Sequence, residues 1–451
     1  MKKVLVYGSG KSGVGAANLI AKMGMTPVLY DEKEGLVPED LLKKLEDPSK
    51  AEAVVGTLSE DVLKSIDEVV MSPGVPCDIP NVLTFKEMGI PVIGEVELAY
   101  RAGRGRVLAI TGTNGKTTTT SLVGEIMKAY VPEVFVVGNI GNPYTKEAQK
   151  TTDQSTVVAE ISSFQLETID TFRPAVSAIL NITEDHLNRH HTMEEYIRVK
   201  ELITKNQTKE DVCVLNYEDE VLRAFAEKCP ADVFFFSSKR PLENGIFLDG
   251  DTIVVTRGGI HTDLLNVNDL LLLGTHNFEN VMAAAAICYS AGVPLETIAE
   301  AAKKFHPVEH RIEYVATKHG VVWYNDSKGT NPDAAIKGIE AMKWPTFLIA
   351  GGYDKKSDYH EWIRSFGGRV KCLVLEGKTK NDIAACAVEC GFPKEKIVIK
   401  ENMHEAMDYC RDHAEEGDAV LLSPACASWG EFPNYEVRGE VFKEYVEKEI
   451  I

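Results

Sequence analysis

VLAITGTNGKTTTTSLV, residues 107–123, decides how the rest of the chain is read. The apolar run VLAI breaks at Gly112 and Gly115, and a helical stretch, TTTSLVGEIMKAY, follows. A strand, a glycine turn and a helix start aim several backbone N–H groups and the positive helix end at one point, which suits a phosphate chain. The usual form of such a loop, G-x-x-x-x-G-K-[ST], wants glycine five places before Gly115, but Ile110 stands there. TGTNGKTT is therefore a shorter variant. Gly112, Thr113, Asn114, Gly115, Lys116, Thr117 and Thr118 form the expected nucleotide cradle. Lys116 is suited to neutralise β/γ-phosphate charge and the Thr117 hydroxyl to meet Mg²⁺.

Upstream, GSGKSG at residues 8–13 fits G-x-G-x-x-G with Gly8, Gly10 and Gly13, and Asp31 closes the next strand-like run. Alone, this pattern points to a nicotinamide dinucleotide; the same geometry also holds the diphosphate of a sugar nucleotide. A dehydrogenase has no need of a triphosphate loop about 100 residues later, so the two motifs together argue for two phosphorylated ligands.

The chain has 451 residues, 44% of them hydrophobic, ample for several cores. Its formal charge, 49 − 68 = −19, repels nucleic acid and anionic membranes at long range. Nine cysteines without a C-x-x-C pair predict a reduced, intracellular protein, and the four-residue spacing of Cys386 and Cys390 on a predicted helix reads as packing. MKKVLVYGSG is interrupted by glycine too early for a signal peptide, and no run reaches the ~18 apolar residues of a membrane span. A cytoplasmic, monomeric protein is the expectation.

Strand-like and helical patterns alternate throughout, which predicts an α/β protein of three domains in series. A Rossmann-like N-terminal domain covers 1–94, a central P-loop-type ATPase domain with a mostly parallel sheet covers 95–307, and a C-terminal Rossmann-like domain covers 308–451. Residues 230–270 read as short strands and turns, an antiparallel annex.

Acidic and polar residues recur at predicted strand ends, where open parallel sheets collect ligands. Glu160 ends VVAE, and Glu184, Asp185 and His186 follow AILNIT. A carboxylate and an imidazole there suit Mg²⁺, directly or through water. Asp326, Lys328 and Thr330 follow VVWYN, and Lys356, Ser428 and Tyr435 are candidate ligands for a small charged substrate. Lys200, in EEYIRVKELI, reads by pattern as a surface lysine.

TGTNGKTT, GNIG (138–141), EISSFQLE (160–167), NITEDHLNRH, GTHNFEN (274–280), His310-Arg311, YNDSKGTN and LLSPACAS together resemble the Mur ligases, ATP-dependent amide-forming enzymes of peptidoglycan synthesis. The resemblance covers nearly the whole chain. NDSKGTN and SPACAS resemble most the branch that adds D-glutamate to UDP-N-acetylmuramoyl-L-alanine through an acyl phosphate. It implies ATP and two Mg²⁺ ions as cofactors, with Thr117, Glu160, His186 and a carbamylated Lys200 toward the metal. It implies catalytic roles for Lys116, Asn139, His186, Lys200 and Lys328, and nucleotide contacts for Asn277, Asn280, Arg311 and Asp326. Ser12, Asp31, Lys33, Ser72 and Gly74 are implied for the uridine diphosphate; Thr330 lies near the transfer centre, and Lys356, Ser428 and Tyr435 receive D-glutamate. Two departures touch amino-acid recognition: Gly430 stands where relatives carry an acid, and the GGYDKKSDY loop differs in detail. A folylpolyglutamate-type ligase is the alternative of the same class, against which the N-terminal GSGKSG domain speaks. A P-loop NTPase switch that makes no amide is the alternative of another class.

Overall fold

The computed structural model describes residues 2–306, 309–353 and 357–450. Its first sheet is parallel, with β1 (Lys3–Tyr7), β2 (Thr26–Asp31), β3 (Glu52–Val55), β4 (Glu68–Met71) and β5 (Val92–Gly94) in the order β3-β2-β1-β4-β5. Strand β3 escaped the sequence reading because its apolar run, Ala53–Val55, is only three residues long on a partly exposed edge. The helix Lys11–Lys22 buries Ala16, Ala17, Leu19 and Ile20 against this sheet, the stripe expected of an amphipathic helix. Gly13 makes that approach possible, since a Cβ there would overlap the Gly8 carbonyl oxygen.

The second sheet has nine strands: β6 (Arg106–Thr111), β7 (Val134–Gly138), β8 (Thr156–Glu160), β9 (Val176–Ile179), β10 (Val212–Asn216), β11 (Asp232–Ser237), β12 (Gly245–Asp249), β13 (Thr252–Arg257) and β14 (Ile260–Asn266). Their order is β14-β13-β12-β11-β10-β9-β6-β8-β7. The pairings from β7 to β12 are parallel, and only β12-β13-β14 is antiparallel. The expected annex is thus shorter than 230–270, because β11 and β12 extend the parallel sheet. Every residue of β8 is buried, as a strand covered on both faces requires.

The third sheet runs β15-β16-β20-β17-β18-β19, from β15 (Glu313–Lys318), β16 (Val321–Asn325), β17 (Thr346–Gly352), β18 (Val370–Gly377), β19 (Ile397–Ile399) and β20 (Ala419–Leu422). Only the edge strand β15 is antiparallel, and its half-exposed EYVATK gave no clear sequence signal. By contact density the chain forms two compact units: Met1–Val267 with Glu279–Ala302, holding the first two sheets, and Asn268–Phe278 with Lys303–Ile451, holding the third.

Candidate active site

Strand β6 lies between β8 and β9, where the chain changes direction across the second sheet. In open α/β sheets such a switch point opens a crevice at the carboxyl ends of the strands. The turn 112–115 leaves β6 into that crevice and enters the helix Lys116–Lys128. Gly115 caps the helix at φ 84°, in the left-handed region, and a Cβ there would collide with the Asn280 amide oxygen. Asn280 is buried and accepts from the Thr119 hydroxyl at 3.4 Å.

The turn is braced from the β9 side. Thr113 N–H donates to the Asn181 carbonyl at 2.9 Å, and Asn114 N–H to the Asn181 side chain at 2.8 Å. The Thr113 hydroxyl bonds the Thr183 backbone and sits 3.1 Å from the Tyr196 hydroxyl. Thr117 is half-buried and Thr118 buried in the first helical turn.

Two lysines meet at the turn. Lys116 Nζ donates to the carbonyls of Gly112 (2.8 Å) and Thr113 (2.9 Å), and Lys200 Nζ donates to the same Gly112 carbonyl at 2.8 Å. Lys200 is 1% exposed on the helix Met193–Glu201 and lies over the Tyr196 ring at 4.7 Å. The expectation of a surface lysine is therefore corrected: its helix turns the Tyr196–Lys200 side inward against the loop. Burial, reinforced by the Lys116 charge, lowers the Lys200 pKa from its ordinary 10.5 to about 7. Tyr196 was missed in the sequence, although its four-residue spacing from Lys200 was the available signal.

Glu160, at the end of β8, is flanked in register by Ile110 of β6 and Gly138 of β7. It is 1% exposed. Oε1 accepts from the Asn139 side chain at 2.8 Å, whereas Oε2 is buried with no hydrogen-bond partner. An orphaned buried carboxylate oxygen calls for a cation. The carboxylate and the Thr117 hydroxyl are oxygen donors of the kind a hard divalent ion such as Mg²⁺ takes, with the imidazole joining directly or through water, so this donor set fits that ion. His186 has left-handed backbone (φ 53°) and is half-exposed. Its ring stands 4.9 Å from Phe164, with Nε2 3.4 Å from Asp185. Glu184 and Asp185 flank it in the same loop.

The carboxyl ends of β1, β2 and β4 in the first sheet gather a second group of candidate residues. Asp31 accepts from the Ser9 hydroxyl (2.5 Å), Ser9 N–H (3.3 Å) and Lys33 N–H (3.1 Å). Burial alone would raise its carboxyl, but these bonds hold it below the usual range. The Ser72 hydroxyl donates to the Gly8 carbonyl at 3.2 Å. Ser12 lies in the first turn of the adjoining helix, and nothing crowds Gly10 or Gly74.

In the second unit Asp326 follows β16, buried, accepting from the Ser423 hydroxyl at 2.7 Å and from Ile312 N–H at 3.3 Å. Burial raises its pKa to about 7 against the opposing pull of Ser423 and Arg311. Lys328 Nζ sits 5.6 Å from the Tyr435 ring centroid, Thr330 N–H donates to the Lys328 carbonyl, and Ser428 is buried. Asn277, also buried, donates to the Leu273 carbonyl at 2.8 Å. Lys356 lies outside the described residues. Sequence reading missed Arg438, which is 1% exposed and clamps the Ser327 hydroxyl and carbonyl (2.9 and 2.8 Å) and the Cys426 carbonyl (3.2 Å). Its helical spacing from Phe442 and Tyr445 marked it as inward-facing.

Three family profiles match: "Mur ligase MurD-like, N-terminal domain" over 2–94, "Mur ligase middle domain" over 110–288, and "Mur ligase, glutamate ligase domain" over 310–426. The UDP-N-acetylmuramoylalanine–D-glutamate ligases of Lachnoclostridium phytofermentans and Lachnospira eligens are 55% and 56% identical over 445 residues, covering 99% of this chain and 98% of theirs. That of Clostridioides difficile is 46% identical with the same coverage. Among solved structures, UDP-N-acetylmuramate-alanine ligase MurC of Thermotoga maritima superposes with a TM-score of 0.60 at 18% identity, covering 100% of both chains. MurF ligase of the same organism, in complex with ADP, gives 0.60 at 17% identity, covering 94% of this chain and 96% of that one. The sheets and the glycine turn are thus those of a known architecture, and the chain belongs to the Mur ligase family.

Proposed function

We propose that the chain joins D-glutamate to the L-alanine carboxylate of UDP-N-acetylmuramoyl-L-alanine, splitting ATP into ADP and phosphate, in the cytoplasmic synthesis of peptidoglycan precursors. The names of its full-length relatives support this reading. The observation that carries it is the pair of lysines on the Gly112 carbonyl. Lys116 keeps its ammonium for the phosphates at that carbonyl, while burial and the Lys116 charge turn Lys200 toward the neutral amine.

Residues 1–94 hold the uridine diphosphate through Ser12, Asp31, Lys33, Ser72 and Gly74. Residues 95–307 hold ATP on the 112–118 turn with Asn280, and Asn277, Arg311 and Asp326 are nucleotide contacts that the family resemblance implies. Lys356, Ser428 and Tyr435 receive D-glutamate. The enzyme works as a monomer.

A carboxylate is a poor electrophile, so the γ-phosphoryl first moves onto it and the acyl phosphate supplies a good leaving group. Such a transfer needs alignment and charge neutralisation more than covalent help. Lys116 and the turn amides hold the phosphates, while Asn139, tied to Glu160, orients the accepting carboxylate. Thr117, Glu160, His186 and a carbamylated Lys200 would hold two Mg²⁺ ions, which supply charge neutralisation on the phosphates when bound. Lys328 and Thr330 are the residues of the third domain assigned to the transfer step by the family resemblance. The amine of D-glutamate then attacks the acyl carbon and phosphate departs.

Phosphate release assayed with UDP-N-acetylmuramoyl-L-alanine and a panel of amino acids, both glutamate enantiomers included, tests this. Release is expected only with the sugar nucleotide and D-glutamate together. Release with neither identifies an NTPase switch, and release with a pteridine substrate identifies a folylpolyglutamate-type ligase.

A further inference from the structure

Cys386 and Cys390 stand one turn apart where the helix Lys380–Glu389 ends, a spacing that by itself reads as packing. The fold adds a third donor. His360, first residue of the helix His360–Arg364, comes against them, and the donor atoms of the three residues all lie within 4.8 Å of one another. The imidazole is oriented from outside: Nδ1 is 2.5 Å from Asp358 Oδ1, which also accepts the His360 N–H at 3.0 Å. The opposite nitrogen, Nε2, is 3.6 Å from Glu389 Oε2. Cys386 is buried, whereas Cys390 and His360 are partly exposed, which leaves an entry path from solvent.

We propose that Cys386, Cys390 and His360, with Glu389 as the fourth donor, form a zinc site in which Asp358 positions the imidazole. Two sulfurs, one imidazole nitrogen and one carboxylate oxygen make a tetrahedral set that favours Zn²⁺ over Mg²⁺ or Ca²⁺. Zinc–sulfur and zinc–nitrogen bonds of about 2.3 and 2.0 Å put neighbouring donors roughly 3.5–3.8 Å apart, so side-chain rotation closes the remaining ångström. Both thiols lose their protons to solvent as the ion binds. The Asp358–His360 bond is the outer carboxylate contact that fixes a ligating histidine's tautomer. The ion ties the segment after β17 to the helix Lys380–Glu389 and stabilises this part of the third sheet's unit.

The test is titration of the metal-free full-length protein with Co²⁺ under a non-chelating reductant. One equivalent should produce the thiolate-to-cobalt charge-transfer band and the visible bands of a tetrahedral ion, displaced by one equivalent of Zn²⁺. Cys386→Ser with Cys390→Ser should abolish the charge-transfer band, while Cys229→Ser leaves it intact. His360→Gln should weaken binding at least 10-fold, and Asp358→Asn about 10- to 100-fold. The partly exposed Cys390→Ser alone guards against misfolding: it should keep wild-type ligation and melting temperature without metal, yet lose the Zn²⁺-induced rise. Absence of a thiolate band in the wild type, or its survival in the double variant, overturns the site.

Discussion

Lys200 offers the sharpest perturbation. At pH 7.5 a lysine with the ordinary pKa of 10.5 is about 0.1% neutral, whereas one at about 7 is about 75% neutral, a gain of roughly 700-fold. Only the neutral amine takes up CO₂, so burial against the Gly112 turn favours the form of Lys200 that the proposed carbamylation requires, which would turn a cation into an anion. Its linkage has a definite sign. Between about pH 7 and 10.5 folded Lys200 binds fewer protons than the unfolded chain, so stability rises with pH across that window. Below it the buried ammonium costs the whole shift, on the order of 5 kcal/mol. Ligation should fall when dissolved CO₂ is stripped and return when it is restored, and at equal dissolved CO₂ the rate of return should drop about eightfold from pH 7.5 to 6.0. Lys200→Ala should lose at least about 100-fold in kcat, partly regained with acetate or formate. Lys200→Arg, permanently charged, should not be rescued. ¹³C-bicarbonate should give a carbamate resonance that Lys200→Ala lacks. A wild type indifferent to CO₂ and without that resonance refutes the reasoning, as does Lys200→Ala at near-normal rate.

Lys116→Ala should abolish turnover, by about 10²- to 10³-fold or more in kcat, with an unchanged circular dichroism spectrum; near-normal ligation would remove the phosphate cradle from the mechanism. Gly13→Ala forces a Cβ into the Gly8 carbonyl and should lower stability by about 1–3 kcal/mol, read by denaturant titration, with weaker uridine diphosphate binding. Glu97, buried on the helix Glu95–Ala102, accepts backbone N–H bonds from Asp170, Thr171 and Phe172 and pairs with Arg101. Burial pushes its carboxyl up, but these bonds hold it below the usual range, so its contribution is present above the unfolded pKa and lost as pH falls through the folded one. Glu97→Gln should therefore cost about 3 kcal/mol at pH 7, with the gap to wild type narrowing in acid; a gap independent of pH would contradict this.

Local order in the chain was enough to predict an α/β protein with strand–glycine turn–helix units at 112–118 and 8–13. Hydrophobic runs, glycine spacing and flanking helices are short-range signals, and Glu160 at a strand end followed from the same alternation. Edge strands β3 and β15 carry only short apolar runs and no buried residue, so their signal was weak. Which side chains share a site depended on long-range register and helix rotation. Strand pairing set Glu160 beside Gly138 with one oxygen orphaned, and the rotation of one helix took Lys200 from apparent solvent to the Gly112 carbonyl. His360 likewise reached Cys386 and Cys390 only through the third sheet's packing. Burial changes the free energy of a charge, and burial is a property of what folds over a residue rather than of its neighbours in sequence.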